Sequence, residues 1–125
     1  MKIRIKGNSL RYRLTRSEVL RFVTDGYLEE KINFGGAVLS YTLCRTDGEQ
    51  LSASFRDNRI TVYIPGVLTG DWVDGNQVGF ENHIGLGDSG ETLYLLVEKD
   101  YTCLENVEED QSDNYPNPLK KGRDH

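Results

Sequence analysis

Residues 2–6, KIRIK, and 10–14, LRYRL, alternate strictly between basic and apolar side chains. That period of two is the signature of a strand with one buried face. With Gly7-Asn8 as a two-residue loop, Ile5 pairs with Leu10, Arg4 with Arg11, Ile3 with Tyr12 and Lys2 with Arg13. Apolar then meets apolar and basic meets basic, whereas a three-residue loop would set Ile5 against Arg11 and mix the faces. The pattern selects the even register and creates a basic hairpin face.

The same logic reads the middle of the chain. With Asp57-Asn58 as a loop, Phe55 faces Ile60, Ala53 faces Val62 and Leu51 faces Ile64, while Arg56 meets Arg59, Ser54 meets Thr61 and Ser52 meets Tyr63. Such a sorted pair is what an antiparallel meander requires. Further strands are expected at Tyr27–Phe34, Ala37–Arg45, Gln50–Arg56, Val78–Ile84 and Thr92–Glu98, with Asp47-Gly48 as a hairpin turn. In the last run Leu93, Leu95 and Val97 share one face and Tyr94 and Leu96 the other, so it reads as a central strand buried on both sides. Pro65-Gly66 ends the preceding strand, and Gly66–Val73 forms a short helix or loop that places Trp72.

One helix interrupts the strands. Thr15-Arg16-Ser17-Glu18 has the form of a capping box and Gly26 supplies a left-handed stop, which predicts a helix over about residues 16–25. Val19, Leu20, Phe22 and Val23 are its expected apolar face. The fold class expected is α+β: a mostly antiparallel, strongly bent sheet or partial barrel of about seven strands with one principal helix. Residues 1–104 form the single globular domain, and the acidic, Pro-containing segment 105–125 is extended or partly disordered unless held by charge. A length of 125 residues suits one domain. MKIRIKGNSL has no signal-type apolar run and no segment is long enough to span a bilayer, which predicts a cytoplasmic protein without membrane contact.

The charge is unevenly placed. Residues 1–21 hold seven basic groups against Glu18 alone, a balance of +6, and the other 104 residues hold 8 basic and 19 acidic groups, a balance of −11. Lys2, Arg4, Lys6, Arg11 and Arg13 share one hairpin face, where cross-strand like charges destabilise a sheet unless something compensates. The compensating groups are Glu29, Glu98 or the acidic tail, or else an external acidic protein or small anion. Nucleic acid is disfavoured, since Tyr12 falls on the other face and the sequence pI is 5.0.

Catalytic signatures are absent: there is no GxSxG, Walker loop, HExxH or GxGxxG opening a helix. His83 lies in a strand without a local second ligand and reads as a satisfied or surface histidine. Glu98 and Asp100, alternate about Lys99, could hold a cation on one face, and their ordinary reading is solvated edge charges. Gly85, Gly87 and Gly90 permit a turn, and Cys44 and Cys103 read as reduced, packed thiols. No cofactor is implied.

Three segments, KIRIKGNSLRYRLTRSEV at 2–19, SASFRDNRITVYIP at 52–65 and LLVEKDYTCLENVEEDQSDNYPNP at 95–118, resemble a family of small bacterial proteins built on a domain of unknown function. That resemblance implies a bacterial, cytoplasmic, single-domain protein and assigns no activity. A weaker similarity is to the triphosphate tunnel enzymes, barrels lined by alternating charges. Their N-terminal ExExK is replaced here by Lys2-Ile3-Arg4-Ile5-Lys6, which removes the metal-binding half of that chemistry. The leading expectation is therefore a noncatalytic binding module using the basic hairpin face, with a phosphohydrolase-like enzyme acting on a small polyphosphate as the alternative.

Overall fold

In a computed structural model describing residues 1–101, Asp113 and Tyr115, the alternating segments form β1 (Lys2–Lys6) and β2 (Ser9–Leu14), in the register Lys2–Arg13, Ile3–Tyr12, Arg4–Arg11 and Ile5–Leu10. Gly7 turns between them at φ 56°. Helix α1 (Arg16–Asp25) follows, with the Thr15–Glu18 capping box formed on both sides and Gly26 left-handed at its end. Val19 and Phe22 enter the core, whereas Leu20 is exposed, because it falls off the narrow stripe facing the sheets.

The remaining strands are β3 (Tyr27–Asn33), β4 (Val38–Thr46), β5 (Ser52–Arg56), β6 (Arg59–Pro65), β7 (Gly79–Gly85) and β8 (Thr92–Lys99). They make two four-stranded sheets, in the orders β1-β2-β8-β7 and β3-β4-β6-β5. Each sheet is two antiparallel hairpins joined through a parallel central pair, β2 with β8 and β4 with β6. The fold is α+β with one α-helix among the described residues, but the single bent sheet or partial barrel of about seven strands is replaced by eight strands in two open mixed sheets. Side-chain period specifies each hairpin, yet it carries no information about which hairpins become neighbours.

The turn at Asp47-Gly48 is corrected for the same reason: β6 lies between β4 and β5, so the loop spans across it instead of closing a hairpin. The tight turn of this sheet is Asp57-Asn58, with φ 51° and 63°, a left-handed pair that short polar side chains tolerate. Its flanking register, Phe55–Ile60, Ala53–Val62 and Arg56–Arg59, is the one the sequence predicts. Gly87 and Gly90 have positive φ in the turn before β8.

The sheets meet through their apolar faces. Tyr12 crosses from one to the other, its ring edge-on to Tyr41 at 6.0 Å and its hydroxyl donating to the Ile60 carbonyl at 3.3 Å. Leu14, Leu95 and Val97 of the first sheet and Leu43, Val62 and Ile64 of the second are fully buried. Each such side chain contributes roughly 1.5–3 kcal/mol by leaving water. Trp72, also fully buried, closes one end of the core between Phe22 and Phe80, with ring centroids at 6.4 and 5.1 Å. The α-amino group of Met1 pairs with Glu18 and Glu30, tying β1 to α1 and β3.

Candidate anion-binding face

The outer face of the β1-β2-β8-β7 sheet consists of three cross-strand rows. Lys2, Arg13, Glu98 and Gly79 make the first, Arg4, Arg11, Leu96 and Glu81 the second, and Lys6, Ser9, Tyr94 and His83 the third. All five basic residues singled out from the sequence therefore share one surface. Strand β8 is central, but Tyr94 and Leu96 are half-buried on this face, because no described element is packed over it.

Among the described residues, acids compensate part of this charge. Glu98 accepts from Arg13 Nε at 2.9 Å and lies 3.5 Å from Arg11 Nε, while Asp100 pairs with Lys2 Nζ at 3.2 Å. These two acids are not solvated edge charges: Asp100 is buried and Glu98 half-buried, because β8 runs through the middle of the sheet. Glu29, the other acid named as a partner, serves the opposite sheet, where it pairs with Arg59 at 3.0 Å. Of the segment 105–125, Asp113 and Tyr115 are described. Asp113 lies at the α1 N-terminus, and Tyr115 bridges to Tyr101 and donates its amide to the carbonyl of Asp100, the residue that pairs with Lys2. The expectation of extended or disordered structure for the rest of that segment lies outside the described residues, as does Cys103.

Arg4 and Lys6 have no carboxylate partner among the described residues. With Arg11, Ser9, Leu10 and Tyr94 they line a small pocket of about 140 Å³. The Tyr94 hydroxyl donates to Glu81 Oε1 at 2.5 Å, and this bond, with burial behind it, holds the phenol's pKa above its usual value. His83 is exposed and packs its ring against Tyr94 at 4.6 Å. Lys99 projects to the other side, donating to the Gly75 carbonyl at 3.2 Å beneath the Tyr115 ring, and burial pulls its pKa down. Chemically, the pocket offers forked and point cationic donors to an oxyanion. Among the described residues no cluster of three or more His, Cys, Asp or Glu could hold a metal ion.

Ser9, Tyr94 and Glu81 were not legible as members of this site. Their signal was the alternation Tyr94-Leu96-Glu98, which ends on an acid and marks the polar side of β8.

The three segments that carry the family resemblance map onto β1 through α1, the β5–β6 hairpin and β8 with the tail. A family model described as a family of unknown function, DUF7009, matches residues 1–119. The chain belongs to DUF7009. The DUF7009 match spans both sheets, the helix and both described tail residues, and it supplies no activity. Searches of curated proteins and of solved structures return no significant match. Among the described residues no helix is long and apolar enough to cross a membrane.

Proposed function

We propose that this DUF7009 chain is a noncatalytic binding module that captures an acidic ligand on the outer face of β1 and β2. The observation carrying this reading is the pocket of Arg4, Lys6 and Arg11, in which Arg4 and Lys6 lack a carboxylate partner among the described residues. Two cations left unpaired beside a third gain more from an oxyanion than an already neutralised surface would. Glu98 and Asp100 satisfy the opposite end of the face and so confine the free positive charge to this pocket. No observation favours the polyphosphate-cleaving alternative, whose tunnel has no counterpart in two open sheets.

Calorimetric titration and thermal shift of the full chain with tripolyphosphate and with a short polyglutamate test this reading. A ligand that binds only the folded state raises its melting temperature, by about 2.7 kcal/mol of stability at one hundred times Kd. The R4A/K6A variant should keep or slightly raise its ligand-free melting temperature, since both side chains are exposed and the Arg4–Arg11 repulsion is removed, and lose the ligand-dependent rise. Absence of binding by the native chain, or an equal rise in the variant, would sink the reading.

A further inference from the structure

Strand β1 ends its sheet, so among the described residues no strand lies beside the edge facing away from β2. An open edge presents backbone N–H and C=O groups that can extend the sheet, and lysines such as Lys2 and Lys6 keep it from pairing indiscriminately. The two faces of β1 differ in chemistry. Arg4 and Lys6 stand on the outer face, whereas Ile3 and Ile5 point toward the other sheet. Ile5 is nevertheless 63% exposed, because the sheets part beneath it into an apolar groove of about 290 Å³, lined by Ile5, Leu10, Ala53, Phe55, Ile60 and Leu93. Phe55, on the edge strand β5 across the groove, is 70% exposed.

We propose that β1 accepts an extended peptide of alternating acidic and apolar residues, added as a fifth strand to its sheet. This rests on the acidic-ligand reading and names the ligand class. Successive side chains of an added strand fall on opposite faces. Its acidic residues come beside Arg4 and Lys6, and its apolar residues come beside Ile5, over the groove toward Phe55. One ligand thereby covers the open edge, the unpaired cations and the exposed hydrophobics together. A second copy of the chain is a poor occupant, since β1 against β1 sets basic residues beside basic ones. Residues 102–125 contain no strictly alternating acid–apolar run of this kind.

The test compares two labelled peptides of equal composition, one alternating Glu and Val and one with the same residues in blocks, by fluorescence polarisation on the full chain. The alternating peptide should bind at least about tenfold more tightly, and its binding should protect the β1 amides from hydrogen exchange. The R4E/K6E variant should lose that peptide and gain an alternating Lys–Val peptide, a gain that also reports an intact fold. Equal binding of both Glu–Val peptides without protection of β1 overturns strand addition and leaves the acidic-ligand reading standing. If neither peptide nor tripolyphosphate binds, both are overturned.

Discussion

Gly79 sits opposite Glu98 in the β7–β8 ladder, and a Cβ built there would strike the Val97 carbonyl oxygen and lie 2.7 Å from Glu98 Cα. The position therefore requires glycine for space, not for a left-handed backbone. Its emptiness also leaves Glu98 without a cross-strand side chain on the β7 side, so the acid leans toward Arg11 and Arg13. Gly79→Ala should lower stability by roughly 1–3 kcal/mol, the cost of overpacking a filled site, as measured by urea denaturation. An unchanged midpoint would show that β7 can move away from β8 without penalty. At this scale the sequence was partly informative: the five cations were legible from alternation alone, and Glu98 was among the named partners. Asp100 was not linked to Lys2, because it lies just beyond β8 and its nearness follows from strand order.

At the scale of elements, the N-terminus of α1 is held by two chain segments. Thr15 closes the capping box, and Asp113, from a distant part of the chain, accepts from the Ser17 amide at 3.2 Å and from the Ser17 hydroxyl at 2.6 Å. The exposed amides and positive dipole end of a helix favour such a carboxylate. The Ser17 hydroxyl first, and Thr15 with it, keep the Asp113 carboxyl below the usual 3.8. A depressed carboxyl contributes stability that is present above the unfolded-state value and is lost as pH falls through the folded one. Asp113→Asn should therefore flatten the acid limb of the melting-temperature profile below about pH 4 while leaving the alkaline limb unchanged. Coincident acid limbs for the two proteins would remove Asp113 from the linkage. Both caps differ in legibility: Thr15-x-x-Glu18 is a local motif, and Asp113 reaches the helix from 96 residues away. The hairpin registers were readable because a slip of one residue would turn every apolar side chain outward. The parallel pairs were not, since Ser9–Tyr94 and Ser40–Arg59 are chosen by packing between sheets.

Across the whole molecule, the tyrosines are the largest group of perturbed ionisable side chains among the described residues. Burial raises the phenols of Tyr12, Tyr41, Tyr101 and Tyr115, and the bond to Glu81 raises Tyr94. Unfolded tyrosines release their protons near 10.0, while the folded chain retains these five longer. The unfolded state then binds fewer protons, so stability falls as pH rises above that value and is complete below it. Phenolate absorbance should rise late and together with the loss of near-ultraviolet circular dichroism. Full ionisation of the tyrosines while that signal persists would contradict the buried placement of Tyr12.

The strand orders have a consequence for how the chain acquires its shape. Strands β3 to β6 are contiguous in sequence and complete one sheet among themselves, whereas β2 must wait for β8, whose partner residues lie 85 positions later, as Ser9 and Tyr94 do. Loop closure over such a span slows pairing. During synthesis the β1–β2 hairpin emerges before β3 to β8 and stays without its neighbour until β8 is made. Its alternate cations keep that waiting hairpin from pairing with another copy, by the like-charge repulsion that edge lysines exert. The charge that would select an acidic ligand in the finished protein thus has an earlier use, as protection for an unfinished one.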